Sequence, residues 1–373
     1  MTETHIGSIV FEELNLYDHE QVVFCRDRVS GLRAIIGIHS TVLGPALGGC
    51  RMYPYKSERD ALVDVLRLSR GMTYKAAIAG LNLGGGKSVI IGDPSRDKSE
   101  ILWRAMGRFI EGLHGRYITA EDSGTAVADM EYMRMETRHV VGISRALGGR
   151  GDPSPVTALG VFSGIRAAVE EKLSKSDLRG LKVAVQGVGH VGIHLVRHLS
   201  DAGAKVFVAD VNAASVAHAV EAYGAEAVDV AKIHAVDCDV FAPCALGGAL
   251  NKTSIPELQC KIVAGAANNQ LADEVEDGAR LAKAGILYAP DFVVNAGGLM
   301  NCANELDRTP QERALTQAEG VYGILKSVLR HAEEEQVPTY QAANDLAMRR
   351  IQELGRVNQM YVGTGSTNTR SYS

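Results

Sequence analysis

Hydrophobic and polar positions change their spacing twice along this 373-residue chain. In the first part, short Ile- and Val-rich runs alternate with stretches of helical period. LRAIIGIHST (32–41) and SVIIGD (88–93) read as strands, because β-branched runs end in turn formers. Between them, SERDALVDVLRLSRGM (57–72) sets Ala61, Leu62, Val65, Leu66 and Ser69 at helical spacing, with Ser57 as N-cap and Glu58 in the first turn. SEILWRAMGRFIEGL (99–113) predicts a second amphipathic helix. Glycine and proline cluster in LGGRGDPSP (147–155) and mark a break. TALGVFSGIRAAVEEKL (157–173) then returns to helical period. Strands and helices alternate beyond it: KVAVQG, HVGIHLVRHLSDAG, KVFVAD and NAASVAHAVEAYG, followed by the apolar runs DVFAPCA, KIVAGAA and GILYAPDFVV. Near-continuous apolar strands separated by helices describe a parallel sheet covered on both faces. The pattern is helical from Gln311 onward. The polar tail YVGTGSTNTRSYS has no period, and residues 361–373 are expected to be disordered.

The length exceeds what one hydrophobic core usually serves. The expectation is therefore an α/β protein of two domains, residues 1–146 and a doubly wound unit over 147–334. Composition is ordinary for a soluble globular protein, with 46% apolar and 22% charged residues. A formal net charge of −5 argues against nucleic acid as a partner. The N-terminus has no basic region of the secretory kind, and no apolar run is long enough to span a bilayer. Six scattered cysteines contain no C-x-x-C pair. Reduced thiols, no metal site and a cytoplasmic location are expected.

The most specific local motif is VAVQGVGHVGIHL. Gly187, Gly189 and Gly192 stand at G-x-G-x-x-G spacing after a predicted strand and open a predicted helix. The first glycine permits the tight turn, the second lets a pyrophosphate approach, and the third packs helix on strand. Val188, His190 and Val191 complete the loop; His190 reads as a loop residue rather than a catalyst. The next strand ends at Asp210, placed to accept from both ribose hydroxyls. No Arg or Lys follows it directly, so the expected cofactor is NAD rather than NADP.

GLNLGGGKSVIIGD resembles an ATP phosphate loop but fails its spacing. Counting back from Gly86 puts Leu81 where the first glycine belongs. The order also fails, because this loop leads into a strand rather than a helix. Lys87 therefore needs another role. A lysine behind three glycines sits where backbone can approach a ligand closely, and burial favours the neutral amine a general base requires. Lys75 ends the helix before it, where the helix dipole favours a cation. Two lysines beside an NAD motif suggest that one binds an anionic substrate group while the other moves protons.

At this point the chain resembles the glutamate/leucine/phenylalanine/valine group of amino-acid dehydrogenases, nearest the leucine and valine branch. The resemblance rests on HSTVLGPALGGCRMYPY, RGMTYKAA, GGGKSVIIGD, RYITAEDSGT, GDPSPVTALGVFSGI, GVGHVG, APCALGGALN, GAANNQL and ILYAPDFVVNAGGL, in that order. It implies reversible oxidative deamination of an L-amino acid to a 2-oxo acid and ammonia. Lys87 matches the catalytic lysine, Asp122 the proton-shuttling acid and Lys75 the lysine that grips the substrate carboxylate. Gly48 and Gly49 match the backbone beside that carboxylate. Asn268, Asn295 and Thr157 match polar groups around the nicotinamide, its ribose and the substrate. Leu47, Ala120, Leu299 and Cys302 match the side-chain pocket. An apolar pocket disfavours a second carboxylate, so a branched-chain substrate is expected. Met300 and Cys302 depart from the aliphatic residues expected there, which keeps an aromatic substrate open. A catalytically silent NAD-binding sensor is the reading from another class. The resemblance further implies a homo-oligomer, an N-terminal substrate and oligomerisation domain onto which helices at 335–360 fold back, and a cleft closing near residues 147–157.

Overall fold

A computed structural model describes residues 9–358. The expected disordered tail lies outside the described residues. The chain divides into two compact units. The first holds the chain up to Asp152 together with Glu305–Arg308 and residues 348–358; the second holds Pro153–Asn304 and Thr309–Ala347.

In the first unit, helix α1 (Ile9–Tyr17) precedes strands β1 (Gln21–Arg26), β2 (Arg33–Ser40) and β3 (Ala46–Tyr53). Helix α2 (Glu58–Ile78), strand β4 (Gly84–Ile91), helix α3 (Glu100–Glu111), strand β5 (Tyr117–Glu121) and helix α4 (Val127–Arg134) follow. The sheet order is β1-β2-β4-β3-β5. β1, β2 and β4 pair antiparallel, whereas β3 runs parallel to both β4 and β5. Ser57 caps α2 by accepting from the Asp60 N–H, and the apolar stripe of α2 packs on Ile35 and Val89. On the other face, Trp103, Met106 and Ile110 of α3 and Met130 and Met133 of α4 cover Ile36, Ile38, Met52 and Ile90.

The expected strand SVIIGD begins earlier, at Gly84, and ends at Ile91. Its glycines lie within the sheet, and what they admit is the protein's own backbone. A Cβ on Gly85 would stand 2.1 Å from the Thr73 amide nitrogen of α2, and one on Gly84 1.9 Å from the Ser40 carbonyl oxygen.

The second unit begins with α5 (Ser154–Leu173), then alternates β6 (Lys182–Gln186), α6 (His190–Asp201), β7 (Lys205–Ala209), α7 (Ala213–Tyr223), β8 (Glu226–Ala227), β9 (Val240–Pro243) and β10 (Ile262–Val263). After α8 (Glu274–Lys283) come β11 (Leu287–Tyr288), α9 (Asp291–Val294), α10 (Gly297–Leu306), α11 (Gln311–Glu319), α12 (Val321–Glu335) and α13 (Thr339–Asn358). All strand pairs are parallel, in the order β11-β10-β9-β6-β7-β8. That is the doubly wound order of a dinucleotide-binding fold, with the switch point between β6 and β9.

The boundary falls later than residue 146. The N–H groups of Gly149 and Gly151 bond the carbonyls of Ser144 and Ile143, and the Arg150 N–H bonds Glu305, holding this stretch to the first unit. Helix α13 is shared. Thr339 Oγ1 bonds the Tyr288 carbonyl in the second unit, while Arg350 donates to the carbonyls of Leu81 and Gly80 in the first. Residues 335–347 thus stay with the second unit, and the stretch from 348 to 358 joins the first.

His19 and His39 stack edge-on, 4.9 Å apart, against α2, where they bond Ser69 and Thr73. Burial lowers both pKa values to about 4, aided by the neighbouring imidazole for His19 and by Arg70 for His39. The unfolded chain therefore takes up these protons first as pH falls, so their contribution is complete above about pH 6.5 and drains away toward pH 4. The thermal midpoint of the first unit should fall over that window. A His19→Gln/His39→Gln variant should flatten the fall in a calorimetric pH series; an unchanged slope would remove the assignment.

Candidate active site

Lys87 projects from β4 on the α2 side of the sheet. It pairs in register with Gly37 and lies two residues from Gly85, and both of those glycines face α2. Its side chain is 7% exposed, and Nζ donates to Asp122 Oδ2 at 2.9 Å. Asp122 follows the end of β5. Its loop is closed by Thr125, whose Oγ1 accepts from the Asp122 N–H and donates to the Cys50 carbonyl. The Asp122 carboxylate, which the Ser123 backbone N–H also approaches, faces cations. Arg51 of β3 is the second of these, with Nε 3.1 Å from the same Oδ2. Burial raises the Asp122 pKa, but Lys87 and Arg51 outweigh it and hold the carboxyl below the usual carboxylate value. The neutral amine expected of Lys87 is here one half of an ion pair. A proton on this nitrogen has an acceptor within direct reach.

Behind Arg51, its Nη1 donates to Asp64 Oδ2 of α2 at 3.1 Å, and Tyr55 Oη donates to that same oxygen at 2.5 Å. Sequence reasoning missed Arg51, Asp64 and Tyr55. The one available signal was an arginine two residues after the paired glycines.

Gly48 and Gly49 lie in β3 beside β4. A Cβ on Gly48 would stand 1.8 Å from the Gly86 carbonyl oxygen, and one on Gly49 2.8 Å from Asp122 Cβ. Tyr117 Oη, fully buried, donates to the Gly48 carbonyl at 2.7 Å. Met72 of α2 packs against Gly48, and Lys75, one turn on, is half-buried in the last turn of that helix. Lys75, Lys87, Asp122, Gly48 and Gly49 thus belong to one unit. Leu47 and Ala120 are buried in its strands β3 and β5, Leu47 at 1% exposure. Leu299 is buried and Cys302 half-buried on α10 of the second unit.

In the second unit Gly187 turns the chain out of β6 at φ 95°, and Gly189 precedes the first turn of α6. A Cβ on Gly192 would stand 2.0 Å from the Gly187 carbonyl oxygen, whereas one on Gly189 would meet nothing within 4 Å. The backbone at Gly189 is thus open toward the helix N-terminus. Val188 is buried, and its N–H donates to Asp210 Oδ2 at 2.8 Å; the other oxygen of Asp210 accepts from the Asn212 N–H. His190 is exposed and Val191 half-buried. Asn295 Nδ2 donates to Asn268 Oδ1 at 2.8 Å and to the Ala266 carbonyl, while its own buried Oδ1 has no partner among the described residues. Thr157 Oγ1 donates to the Pro153 carbonyl. An orphaned acceptor, an open glycine and a helix N-terminus suit a nicotinamide dinucleotide.

A glycine-loop nucleotide fold and a lysine–aspartate pair beside paired glycines define a nucleotide-dependent dehydrogenase. Family models extend that class across the chain. The Glu/Leu/Phe/Val dehydrogenase dimerisation domain matches residues 19–139, and Glutamate/Leucine/Phenylalanine/Valine dehydrogenase matches 148–218 and 207–358. The chain is 53% identical to leucine dehydrogenase of Geobacillus stearothermophilus over 356 residues, 95% of this chain and 97% of that one. It is 48% identical to L-tryptophan dehydrogenase of Nostoc punctiforme over 343 residues, 92% and 96% of the two chains. The crystal structure of the Nostoc enzyme superimposes with a TM-score of 0.82 at 46% identity, covering 93% and 99% of the two chains. A hetero-hexameric glutamate dehydrogenase from Thermus thermophilus gives 0.76 at 25% identity over 95% and 96%. The chain belongs to the Glu/Leu/Phe/Val dehydrogenase family. It is an amino-acid dehydrogenase dependent on a pyridine nucleotide. Among the described residues no helix is long and apolar enough to cross a membrane.

Two glycines of the loop should separate binding from folding. Gly189→Ala should keep its melting temperature and weaken NADH binding, read by fluorescence titration. Gly192→Ala should lose about 1–3 kcal/mol of stability by overpacking. Equal effects of the two on melting would contradict this division.

Proposed function

We propose that this chain catalyses the NAD-dependent, reversible oxidative deamination of a branched-chain aliphatic L-amino acid to its 2-oxo acid and ammonia. The observation that carries the reading is the buried Lys87–Asp122 pair, 2.9 Å apart, in the unit that also holds Lys75 and the Gly48–Gly49 backbone.

Lys75 anchors the substrate carboxylate, with the Gly48–Gly49 backbone beside it. Fixing the carboxylate orients the Cα–H bond, and orientation of this kind is a large share of catalysis. Asp122, ionised at neutral pH, takes a proton from the substrate ammonium. NAD, when bound, supplies the hydride acceptor. Lys87, neutral once its proton has left to solvent, takes a proton from the water that adds to the imine, and Asp122 returns the proton it holds to the departing amine. Asn295 offers its orphaned Oδ1 to a carboxamide N–H, with Asn268 and Thr157 alongside as further polar contacts. Asp210 directly follows β7 and is itself followed by Val211, Asn212 and Ala213 with no cation, which supports NAD over NADP. Both Asp210 oxygens keep lone pairs beyond their backbone bonds.

The leucine dehydrogenase relatives at 52–53% identity favour a branched-chain substrate. The L-tryptophan and phenylalanine dehydrogenase relatives, with the small side chain of Cys302, favour an aromatic one as the second reading. Assembly into a homo-oligomer accords with the dimerisation-domain match over residues 19–139.

Rates of NADH formation across leucine, valine, isoleucine, phenylalanine and tryptophan test the substrate. Leucine should give the highest kcat/KM; a preference for tryptophan would install the second reading. Lys87→Ala should lose turnover by about 10³-fold or more while still binding NADH. Near-normal rates would end its assignment.

A further inference from the structure

Arg51 stands behind Asp122 on the α2 side of the first sheet. It lies in β3, in register with Val89 of β4, and its neighbour Cys50 is in register with Glu121 of β5. Three adjacent strands thus bring Lys87, Arg51 and Asp122 together. Both cations reach one oxygen, Asp122 Oδ2, Lys87 at 2.9 Å and Arg51 Nε at 3.1 Å. A guanidinium is planar with donors in fixed directions. With Nε on Asp122 and Nη1 on Asp64 at 3.1 Å, Arg51 cannot turn without releasing one carboxylate. Tyr55 Oη, bonded to the same Asp64 oxygen, fixes the far end.

We propose that Arg51 is the positioning residue of the proton-transfer pair: it fixes the Asp122 carboxylate against Lys87, and Asp64 with Tyr55 fixes Arg51. The inference rests on the reading of Lys87 and Asp122 as the proton-handling groups. Arg51 also lines a cavity of about 610 Å³ with Tyr53, Tyr55, Asp64 and Arg67, so its guanidinium can be replaced from outside.

The charged and titratable groups acting on Asp122 come from every neighbouring element. They are Lys87 of β4, Arg51 and Cys50 of β3, Tyr55 beyond β3, Tyr117 of β5 and, through Arg51, Asp64 of α2; Asp129 of α4 acts on Cys50. Removing one cation from this set raises the proton affinity of the carboxylate. The acid limb of the kcat profile must then move to higher pH.

The test uses the full-length enzyme with whichever amino acid it oxidises fastest. Arg51→Ala should lower kcat about 10- to 100-fold while KM for the amino acid, set by Lys75, changes little. Its acid limb should rise by about one pH unit. Ethylguanidinium should restore rate saturably, and urea at equal concentration should not. Arg51→Lys keeps a charge without the fork, so its acid limb should stay near wild type with kcat still reduced. A fall in kcat with no limb shift and no rescue would reduce Arg51 to a structural residue and overturn the proposal. Should Arg51→Ala fail to fold, Asp64→Asn decides: a several-fold lower kcat supports the proposal and a wild-type kcat overturns it. The carboxyl titration of Asp122, followed by ¹³C NMR and assigned by its loss in Asp122→Asn, needs no turnover. A higher midpoint in Arg51→Ala supports the proposal, and an unchanged one overturns it. If the wild type oxidised no amino acid, the proposed function would fail while this titration still decided the role of Arg51.

Discussion

A carboxylate held between two cations in the interior of a sheet governs how the first unit can be built. Asp122 carries one negative charge, yet Lys87 and Arg51 both lie within 3.1 Å of one of its oxygens. Alone, that trio would bury a net positive charge. Asp64 completes it, so the charges alternate from Lys87 through Asp122 and Arg51 to Asp64 and sum to zero. Taking ions out of water is costly, and removing one member of a buried pair typically costs about 3–5 kcal/mol because its partner is left unpaired. Hydrophobic residues of equal volume would stabilise the fold at least as well. Four ionisable groups in one place are what the proposed proton transfer between Lys87 and Asp122 requires.

Such a site has to be stiff, and the backbone makes it so. β3 and β4 approach so closely that a single methyl on Gly48 would stand 1.8 Å from the Gly86 carbonyl oxygen. Helix α2 presses on the same strand, with the Thr73 amide where a Cβ on Gly85 would go. Tyr117 fills the space beside Gly86 and ties down the Gly48 carbonyl. The glycine run is therefore explained by packing within the unit. Lys87, Arg51 and Asp64 gain their geometry from the tightness of the elements that carry them.

The second unit was legible in the sequence almost strand by strand. Its strands are short, apolar and locally punctuated, and the glycine loop and Asp210 lie within one strand–helix–strand stretch. The first unit was legible less evenly. Lys87 stood out and so did the strand after it, but the Gly84–Gly86 half did not, because glycines have low intrinsic β preference and their pairing is imposed by neighbours. Strand β3 was not read from the sequence, and nothing local singles out Arg51. Its partner Asp122 lies 71 residues away, and no local pattern encodes that contact. The shared helix α13 was equally hidden, since Arg350 caps carbonyls that only the fold brings near.

Substrate choice within the family follows from the contrast between charge and volume. Leu47 and Ala120 of the first unit are buried and apolar, as is Leu299 of the second. None offers a cation, so a second carboxylate brought among such groups would lose its hydration for nothing, at several kcal/mol. Were these residues the side-chain pocket, as the proposed function has them, that term would reject glutamate. Leucine and phenylalanine differ only in apolar volume, where each methylene discriminates by about 1–3 kcal/mol. In the proposed pocket the thiol of Cys302 leaves more room than a branched aliphatic side chain would. The relatives named for leucine and for tryptophan, 53% and 48% identical to this chain, bear the names of substrates that differ in apolar volume and not in charge. In the proposed function the proton chemistry is the same for either substrate, and the packing around the substrate side chain decides between them.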